Sequence, residues 1–474
     1  MSGSEKTAPG HVGNLTAAQE ENVRQLWKIL IESWDKSTGS TERASVAPSG
    51  TTNGRFSLMR TPTQVKEGAS VSLPPKLAAS LHDLKTGPNE ISAIQSLLPK
   101  FPGEQFLAAY LGFLKQDHPD AVLLRYLRAE KWDVSKAWIK LVSALNWRAN
   151  EYKVDEEVMP KGEPHAVEVL KTSKDASQRK DAEGFMRLVR TGEGHVHGTD
   201  KEGRPILVIR AKLHDPSGQT PKGMNDFVIH LLETIRVTLV HPVETITILF
   251  DMGGFGYANW DLAPIKFIVD TFQSNYPECL GAIIYYNAPW VFSVKGLLDP
   301  VVASKVRFQT GVDGLEELIP RSHIIKELGG EEDWEFEYLE PQQNENAKLQ
   351  DTATRDNILA ERKKLGQDLF AATLEWTQNP QDDTVKSRRE ELAKKLQENY
   401  WRLDPYIRSR TILDRTGVIQ GGGKVDFYPP VKGQAEAQSE QYQPAEVHKG
   451  CANEKSTQLE SPQPKETGKE QLKE

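Results

Sequence analysis

The stretch TITILFDMGGFGYANWDLAPIKFIVDTFQSNYPECLGAIIYY (residues 245–286) decides the fold of this 474-residue chain. Residues 245–250 are apolar on both faces of a predicted strand, which is typical of a buried parallel sheet. Apolar residues then recur at helical spacing over 262–272, and residues 281–286 form a second predicted strand. A strand, a helix and a strand at this spacing predict a right-handed βαβ unit.

Elements on the amino-terminal side of this unit extend the pattern. PILVIR (205–210) predicts a strand, and 227–239 predicts a helix. Asp120 and Asp133 are candidate N-caps of two earlier helices. Thr16 begins a capping-box pattern that predicts an amphipathic helix near the start of the chain.

Beyond residue 330 the chain is helical again. Apolar residues recur on one face from Ile358 to Trp376, and a charged helix follows over 388–401. Basic residues of this charged helix could contact anionic lipid, but glutamates lie among them at spacings that favour intrahelical pairs and hence a solvated face. The residues concerned are Arg388, Arg389, Lys394, Lys395, Glu390, Glu391 and Glu398.

Composition shifts along the chain divide it into seven parts. Segments rich in Ser, Thr, Gly and Pro bury too little apolar surface to offset their ordering entropy, and we predict that they are flexible. The predicted parts are a disordered start (1–14), an amphipathic helix (15–34), a flexible insertion (35–88), a helical subdomain (89–150), an α/β domain (165–330), a helical extension (331–420) and a disordered tail (421–474).

The bulk properties exclude several classes of protein. Hydrophobic residues make up 38% of the chain, its mean hydropathy is -0.55, and it contains no apolar run long enough to span a bilayer. The first residues resemble neither a signal peptide nor a presequence, which favours a cytoplasmic protein. Two cysteines, Cys279 and Cys451, are too few for a disulfide scaffold or a cysteine-rich zinc site. The net charge of -8 argues against a nucleic-acid partner.

Three local patterns suggest catalytic, nucleotide or metal sites but favour ordinary structure. The glycines of FDMGGFG (250–256) follow a strand, but they are not spaced as G-x-G-x-x-G, and no apolar helix opens directly after them, so a strand-end turn is favoured over a nucleotide site. His195 and His197 lack further ligands for a metal, which favours a polar hairpin. Asp251 and Glu278 lack a nucleophile or a positioned water, so we predict no enzyme activity.

Four strings carry a family resemblance: AVLLRYLRAEKWDVSKA (121–137), GRPILVIR (203–210), ILFDMGGFG (248–256) and NYPECLGAIIYYNAPWVFSVKGLLDPVVASKV (275–306). Together they resemble the CRAL-TRIO lipid-binding family, over about residues 90–330. The flanking GHVGNLTAAQ and YWRLDPYIRSR segments resemble a fungal subgroup of phosphatidylinositol transfer proteins. The resemblance implies an α/β fold in which a largely parallel sheet and covering helices enclose an apolar lipid pocket. A helical N-terminal subdomain is expected before it, and further helices after it.

The resemblance also implies a site for the lipid headgroup. The family's Glu in Y-P-E-x-x-G matches Glu278, and its Lys at the end of D-P-V-x-x-S-K matches Lys305. The chain departs from the pattern in two places: a basic family position is Glu130, and a Thr position is Val302. We expect Arg125 and Arg128, which both remain, to compensate for these two changes at the headgroup site.

Apolar residues at the expected pocket wall predict poor handling of phosphatidylcholine. In family members that exchange this lipid, polar residues on the pocket strands hold its phosphate, and the matching residues here are apolar. A buried phosphate without donors is costly. The full predicted lining is Leu207, Ile246, Ile248, Phe267, Ile284 and Tyr286.

The expected gate helix is about five residues shorter than in the family. Its apolar residues are Trp290, Phe292, Leu297 and Leu298. Loss of five residues shortens a helix by roughly 7–8 Å and rotates its apolar face by about 140°. We therefore predict that this chain binds lipid more leakily, or folds less stably, than a version with a full-length gate. Five helical, amphipathic residues inserted after Ser293 should raise lipid retention during gel filtration. A coding segment missed in the underlying sequence would explain the short gate equally well.

We therefore expect a lipid carrier that uses no cofactor. Its bound ligand is expected to be a phospholipid or another hydrophobic molecule. Its expected partners are phosphatidylinositol or a related lipid and, transiently, a membrane surface of the endoplasmic reticulum, endosome or lipid droplet. The first alternative is a lipid sensor that binds a sterol precursor or isoprenoid and docks a regulatory protein through the C-terminal helices. The second is an α/β enzyme that uses the GGFG turn.

Overall fold

The computed structural model describes residues 8–34, 72–288 and 300–429. Eight helices precede the sheet in these ranges: α1 (Ala17–Ser33), α2 (Pro75–Asp83), α3 (Pro88–Leu97), α4 (Gln105–Leu114), α5 (Pro119–Ala129), α6 (Val134–Asn146), α7 (Met159–Thr172) and α8 (Ala176–Thr191). Within these ranges, no helix is both long and apolar enough to cross a bilayer.

Caps fix the starts of two predicted helices. The Thr16 hydroxyl accepts a hydrogen bond from the Gln19 N–H, and the Thr16 N–H donates to Gln19 Oε1 at 2.9 Å, so the predicted capping box is confirmed. Asp133 caps α6 through the Lys136 N–H, also as predicted.

The predicted cap Asp120 is wrong, because His118 caps α5 and accepts from the Asp120 N–H. The Asp120 carboxylate instead accepts from Trp27 Nε1 at 2.6 Å and from the Arg389 guanidinium at 2.7 Å. Two long-range donors thus occupy the carboxylate that a local cap would have used.

The α/β part contains β1 (Gly194–Thr199), β2 (Pro205–Arg210), α9 (Pro221–Val237), β3 (Ile246–Asp251), α10 (Leu262–Asn275), β4 (Leu280–Tyr286), α11 (Pro300–Ser304), β5 (Val306–Gln309) and α12 (Gly311–Glu316). The sheet order is β1-β2-β3-β4-β5. The β1–β2 pair is antiparallel and the other three pairs are parallel, which confirms the largely parallel α/β sheet. The quoted stretch forms β3, α10 and β4.

Both faces of the sheet are covered. Helices α9 and α10 lie over one face. On the other face, Leu249 and Ile284 pack against Leu315, Ile319 and Ile324 from α12 and the chain after it. Because both faces are covered, the strands are apolar on both sides.

Helices α13 (Thr352–Gln378) and α14 (Asp383–Ile407) follow, then α15 (Ile412–Arg415), β6 (Ile419–Gly421) and β7 (Lys424–Val425). Helix α13 packs against α14, α1 and α4. Arg389, predicted on a solvated face, is buried under Trp376, with its guanidinium 4.0 Å from the ring centroid. Lys395 and Glu391 do form the predicted intrahelical pair.

Some residues in segments predicted to lack order make defined contacts. In the predicted insertion (35–88), helix α2 buries Leu77 and Leu81, and this burial offsets the ordering entropy. In the predicted disordered start, the Gly10 carbonyl accepts from Arg128 at 2.9 Å. In the predicted tail, the Tyr428 hydroxyl accepts from the Thr199 N–H at 2.9 Å.

Candidate lipid-binding site

A cavity lies between one face of the sheet and helices α9 and α10. The empty space in and around it, open solvent included, is about 1430 Å³. Its roof includes Phe227, Leu231, Ile265, Ile268 and Phe272. Its floor consists of Leu207, Ile209, Ile248, Phe250, Ile283 and Tyr285, which alternate along three parallel strands with the period of two that strands impose. Walls of this kind suit an apolar ligand.

Three stacked aromatic rings extend the floor across the sheet. Phe250 lies opposite Tyr285, and Tyr285 lies opposite Phe308. The ring centroids are 4.9 Å and 5.4 Å apart, and the planes are tilted by 10° and 19°. Burial raises the pKa of Tyr285, so its hydroxyl is neutral at physiological pH. The floor therefore carries no charge along these rings.

The structure corrects part of the predicted lining. Leu207 and Ile248 line the cavity. Ile284 and Tyr286 do not, because neighbouring strand residues point to opposite faces, and both pack on the far side of the sheet with Leu315. The Tyr286 hydroxyl donates there to the Leu328 carbonyl at 2.9 Å.

The remaining two predicted lining residues are not among those that line the cavity. Ile246 is at the start of β3, where its N–H donates to the Cys279 carbonyl at 2.9 Å, and its side chain is buried in the core. Phe267 packs beside Met159 and Ile229 rather than over the sheet. Since β3 is apolar on both faces, no local pattern identified the cavity side.

Apart from Gln273 and Tyr285, the polar side chains of the cavity wall cluster at the carboxyl ends of β2 and β3. His214 Nδ1 lies 2.7 Å from Glu193 Oε1, and His214 Nε2 lies 3.4 Å from Asp261 Oδ2. Burial lowers the pKa of His214, but the two carboxylates outweigh burial and raise it. Asn259 Nδ2 donates to the Lys212 and His214 carbonyls. This cluster, which the sequence analysis missed because no motif marks it, ties the 211–214 turn to the loop before α10.

Three of the predicted headgroup residues lie near the start of β4, and none of them is among the residues that line the cavity. Glu278 Oε2 lies 3.8 Å from Arg128 Nε, and Arg128 also pairs with Glu244 at 3.6 Å. Lys305 Nζ donates to the carbonyl of Leu280, which lines the cavity, at 2.6 Å. The structure thus brings Glu278, Arg128 and Lys305 close to this end of the cavity.

Arg125 does not belong to this group. Its guanidinium is buried and donates to Asp117 at 2.8 Å. Burial opposes its charge, but the Asp117 carboxylate outweighs burial and raises the pKa of Arg125. Glu130, the acidic departure from the family pattern, pairs with Lys140 at 2.7 Å. The structure therefore does not bring Arg125 together with the other three predicted headgroup residues.

The predicted gate residues Trp290, Phe292, Leu297 and Leu298 fall within 289–299, outside the described residues. The short-gate hypothesis stays a prediction. Val302, directly after this segment, lines the cavity.

The structure gives the other candidate sites ordinary roles. His195 is buried, and the His197 ring stacks on Trp334 with its Nε2 2.9 Å from Glu332. The described residues contain no group of three or more His, Cys, Asp or Glu side chains that could hold a metal ion. Asp251 and Glu278 lie at opposite ends of the parallel β3–β4 pair, more than about 16 Å apart at about 3.3 Å per residue, which is too far for paired catalysis.

The GGFG residues form a turn. The Gly253 N–H donates to Asp251 Oδ1 at 2.9 Å, and α10 does not begin until Leu262. A dinucleotide fingerprint needs a helix directly after its glycines. The predicted strand-end turn is confirmed.

Comparisons with known proteins agree with this architecture. The CRAL/TRIO domain model matches residues 190–330, and the CRAL/TRIO N-terminal domain model matches residues 92–143. The chain is 33% identical to "Phosphatidylinositol transfer protein CSR1" of Eremothecium gossypii over 88% of this chain and 100% of that protein. It is 32% identical to a CRAL-TRIO domain-containing protein of Schizosaccharomyces pombe over 86% of this chain and 92% of that protein.

Among solved structures, the crystal structure of Sfh5 aligns with 43% of this chain and 67% of its own, with a TM-score of 0.32 and 18% identity. The full-length similarity to the Eremothecium protein and the two domain matches establish the family. The chain is a member of the CRAL-TRIO family.

Proposed function

We propose that this protein holds one lipid in the cavity and carries phosphatidylinositol between membranes. The observation that carries the proposal is the apolar cavity, whose lining residue Leu280 accepts a hydrogen bond from Lys305. Glu278, two residues before Leu280, pairs with Arg128. The name of the Eremothecium relative supports the choice of lipid. The proposed activity involves no covalent chemistry.

The energetics favour exchange rather than permanent capture. Burying two acyl chains of about 16 carbons each gains roughly 25 kcal/mol relative to water, at about 0.8 kcal/mol per methylene. A bilayer provides the same gain, so the net free energy of transfer into the cavity is small. Selectivity must then come from the few polar groups at the cavity end.

The three polar groups suit an inositol phosphate. Lys305 uses one of its three donors on the Leu280 carbonyl, which leaves two for a phosphate. Glu278 can accept hydrogen bonds from inositol hydroxyls, and Arg128 holds that carboxylate in place. Apart from the Tyr285 hydroxyl, the side chains of the floor offer no donors, so we expect poor exchange of phosphatidylcholine.

Vesicle-to-vesicle transfer assays test this proposal. Lys305→Ala and Glu278→Ala should each lower phosphatidylinositol transfer at least about tenfold, the effect of losing a charge-assisted hydrogen bond. The matched controls are Lys386→Ala and Glu391→Ala on α14, which remove surface ion pairs and should leave transfer unchanged. Transfer at the unmutated rate in both site variants would place the headgroup elsewhere.

Native mass spectrometry of the purified protein tests the ligand class. A bound phospholipid supports the carrier. A neutral isoprenoid or sterol precursor would instead favour the sensor alternative, and a nucleotide would favour the enzyme. Rapid phosphatidylcholine exchange by the unmutated protein would contradict the apolar floor as the basis of selectivity.

A further inference from the structure

The loop between β3 and α10 carries apolar side chains that face solvent. Tyr257 is 97% exposed, Leu262 is 51% exposed and Trp260 is 43% exposed. Large apolar side chains exposed together mark interaction surfaces more often than single ones do. We call Tyr257, Trp260 and Leu262 the loop cluster.

Hydrogen bonds hold this loop in a fixed shape. Asn259 Nδ2 donates to the Lys212 carbonyl at 3.1 Å and to the His214 carbonyl at 2.8 Å. Asp261 lies 3.4 Å from His214 on one side and accepts from the Ala263 N–H at 2.9 Å on the other. The polar residues of the loop therefore point inward, and the apolar ones are held outward without further ordering cost.

The loop cluster is continuous with the cavity. Trp260 lines the cavity and also reaches the surface, and Pro264 and Ile265, just after Leu262, line the cavity as well. A lipid beside this loop would therefore meet apolar side chains both on the surface and inside the cavity. A protein partner has no need of such continuity.

The chemistry of the loop cluster suits a bilayer interface. Tyr and Trp prefer the boundary between headgroups and acyl chains, since each ring has an apolar body and a polar tip. The basic residues near the loop are engaged, Lys212 with Glu327 and Lys266 with Asp270, and the chain has a net charge of -8. Attraction to anionic lipid is therefore weak, and contact must depend on apolar insertion.

We infer that the loop cluster docks on a phospholipid bilayer and inserts at the headgroup boundary, which places the cavity against the membrane. This inference rests on the proposed function and specifies where the membrane is met. It predicts binding that persists on uncharged vesicles and changes little with salt, since screening acts on charges and not on apolar contact.

Co-sedimentation with phosphatidylcholine vesicles, at low and at high salt, tests the inference. The double variant Tyr257→Ser, Leu262→Ser should bind at least about tenfold more weakly than the unmutated chain, because two apolar side chains no longer insert. Leu359→Ser is the matched control, because Leu359 is also an exposed leucine (40% exposed) but lies on α13. This variant should bind vesicles as well as the unmutated chain does. Thermal unfolding should be unchanged in both variants because the side chains are exposed.

The inference would be wrong if the double variant bound vesicles as well as the unmutated chain does. It would also be wrong if binding required anionic lipid and disappeared at high salt. Native mass spectrometry of the same samples separates this from the proposed function. If the unmutated chain contains bound phospholipid and the double variant still binds vesicles, the carrier function is supported and the loop cluster is rejected as the docking surface. Loop-dependent docking without any bound lipid rejects the carrier and keeps the surface.

Discussion

His195 shows how one buried side chain links stability to pH. Its ring packs against Trp334 and Phe336, and its Nδ1 lies 2.9 Å from the Gly192 carbonyl oxygen. Burial lowers the pKa of His195 to about 3, although this hydrogen bond opposes the change. The unfolded chain takes up a proton below about pH 6.5, and the folded chain does not. The contribution of His195 to the free energy of unfolding is therefore largest above about pH 6.5. It decreases as the pH falls towards the pKa that His195 has in the folded chain.

Replacing His195 with Phe should reduce the acid sensitivity of folding. His195 should cost the unmutated protein about 2 kcal/mol of unfolding free energy between about pH 8 and pH 5, and the variant should not show this part of the loss. Urea denaturation at both pH values measures the difference. His82→Phe is the control, since the His82 side chain is 91% exposed. Equal acid losses in His195→Phe and the unmutated protein would refute the assignment.

At the scale of elements, β3 has two chemically similar faces with different roles. Ile248 faces the cavity, and Leu249 is packed between the sheet and α12. Space is available on the first face and not on the second, because protein cores are close-packed. Larger side chains on the two faces should therefore have opposite consequences.

We expect Ile248→Phe to cost less than about 1 kcal/mol but to lower the amount of lipid that copurifies, since the new ring occupies cavity space. Leu249→Phe should cost about 1–3 kcal/mol through overpacking and leave the lipid content per folded protein unchanged. Urea denaturation and native mass spectrometry measure the two effects. The reverse result would mean that β3 faces the other way.

Helix α14 is attached to α5 and α1 by a buried polar contact. Arg389 donates to the Asp120 carboxylate, which also accepts from Trp27. Burial raises the pKa of Asp120, but the Arg389 charge and hydrogen bonds outweigh burial and lower it. The carboxylate is therefore ionised, and its buried charge is stabilised by the groups that donate hydrogen bonds to it.

Arg389→Leu should destabilise the protein by about 3–5 kcal/mol, because it leaves a buried carboxylate without its cation. Arg388→Leu, one residue away, removes only an exposed pair with Glu375 and should cost less than about 1 kcal/mol. Chemical denaturation compares the two. Similar losses in both variants would show that the Asp120 contact contributes little.

At the scale of the whole molecule, the C-terminal helices complete the core of the N-terminal ones. The Arg362 guanidinium, buried on α13, donates to the carbonyls of Leu111, Lys115 and Leu396. Burial lowers its pKa to about 10, so it stays charged at neutral pH. One side chain thus donates hydrogen bonds to carbonyls at the C-terminal end of α4, which lack partners within the helix, and joins α4 to α14.

A chain that ends at residue 330 should therefore fail to fold cooperatively, because it exposes the α1 and α4 surfaces that α13 covers. A chain that ends at residue 429 retains every contact described above and should melt like the full chain. Thermal unfolding followed by circular dichroism compares them. A cooperative transition in the shorter chain at the temperature of the full one would show that the C-terminal helices are dispensable.

The sequence by itself determined the βαβ unit, the caps at Thr16 and Asp133, and the family, whose motifs lie in order along 121–306. These features depend on residues a few positions apart, where periodicity and local hydrogen bonds act. The motifs also pointed to Glu278, two residues before β4, and Lys305, directly before β5, as candidates for the headgroup site.

Only the tertiary structure decided which face of β3 and β4 borders the cavity, because both faces are buried and their apolar patterns are equivalent. It also decided the partners of Asp120, which lie 93 and 269 residues away in the chain. The contacts of His214 with Glu193 and Asp261 likewise join separate segments. Local propensity cannot specify such contacts, since their energies exist only once the elements have packed together.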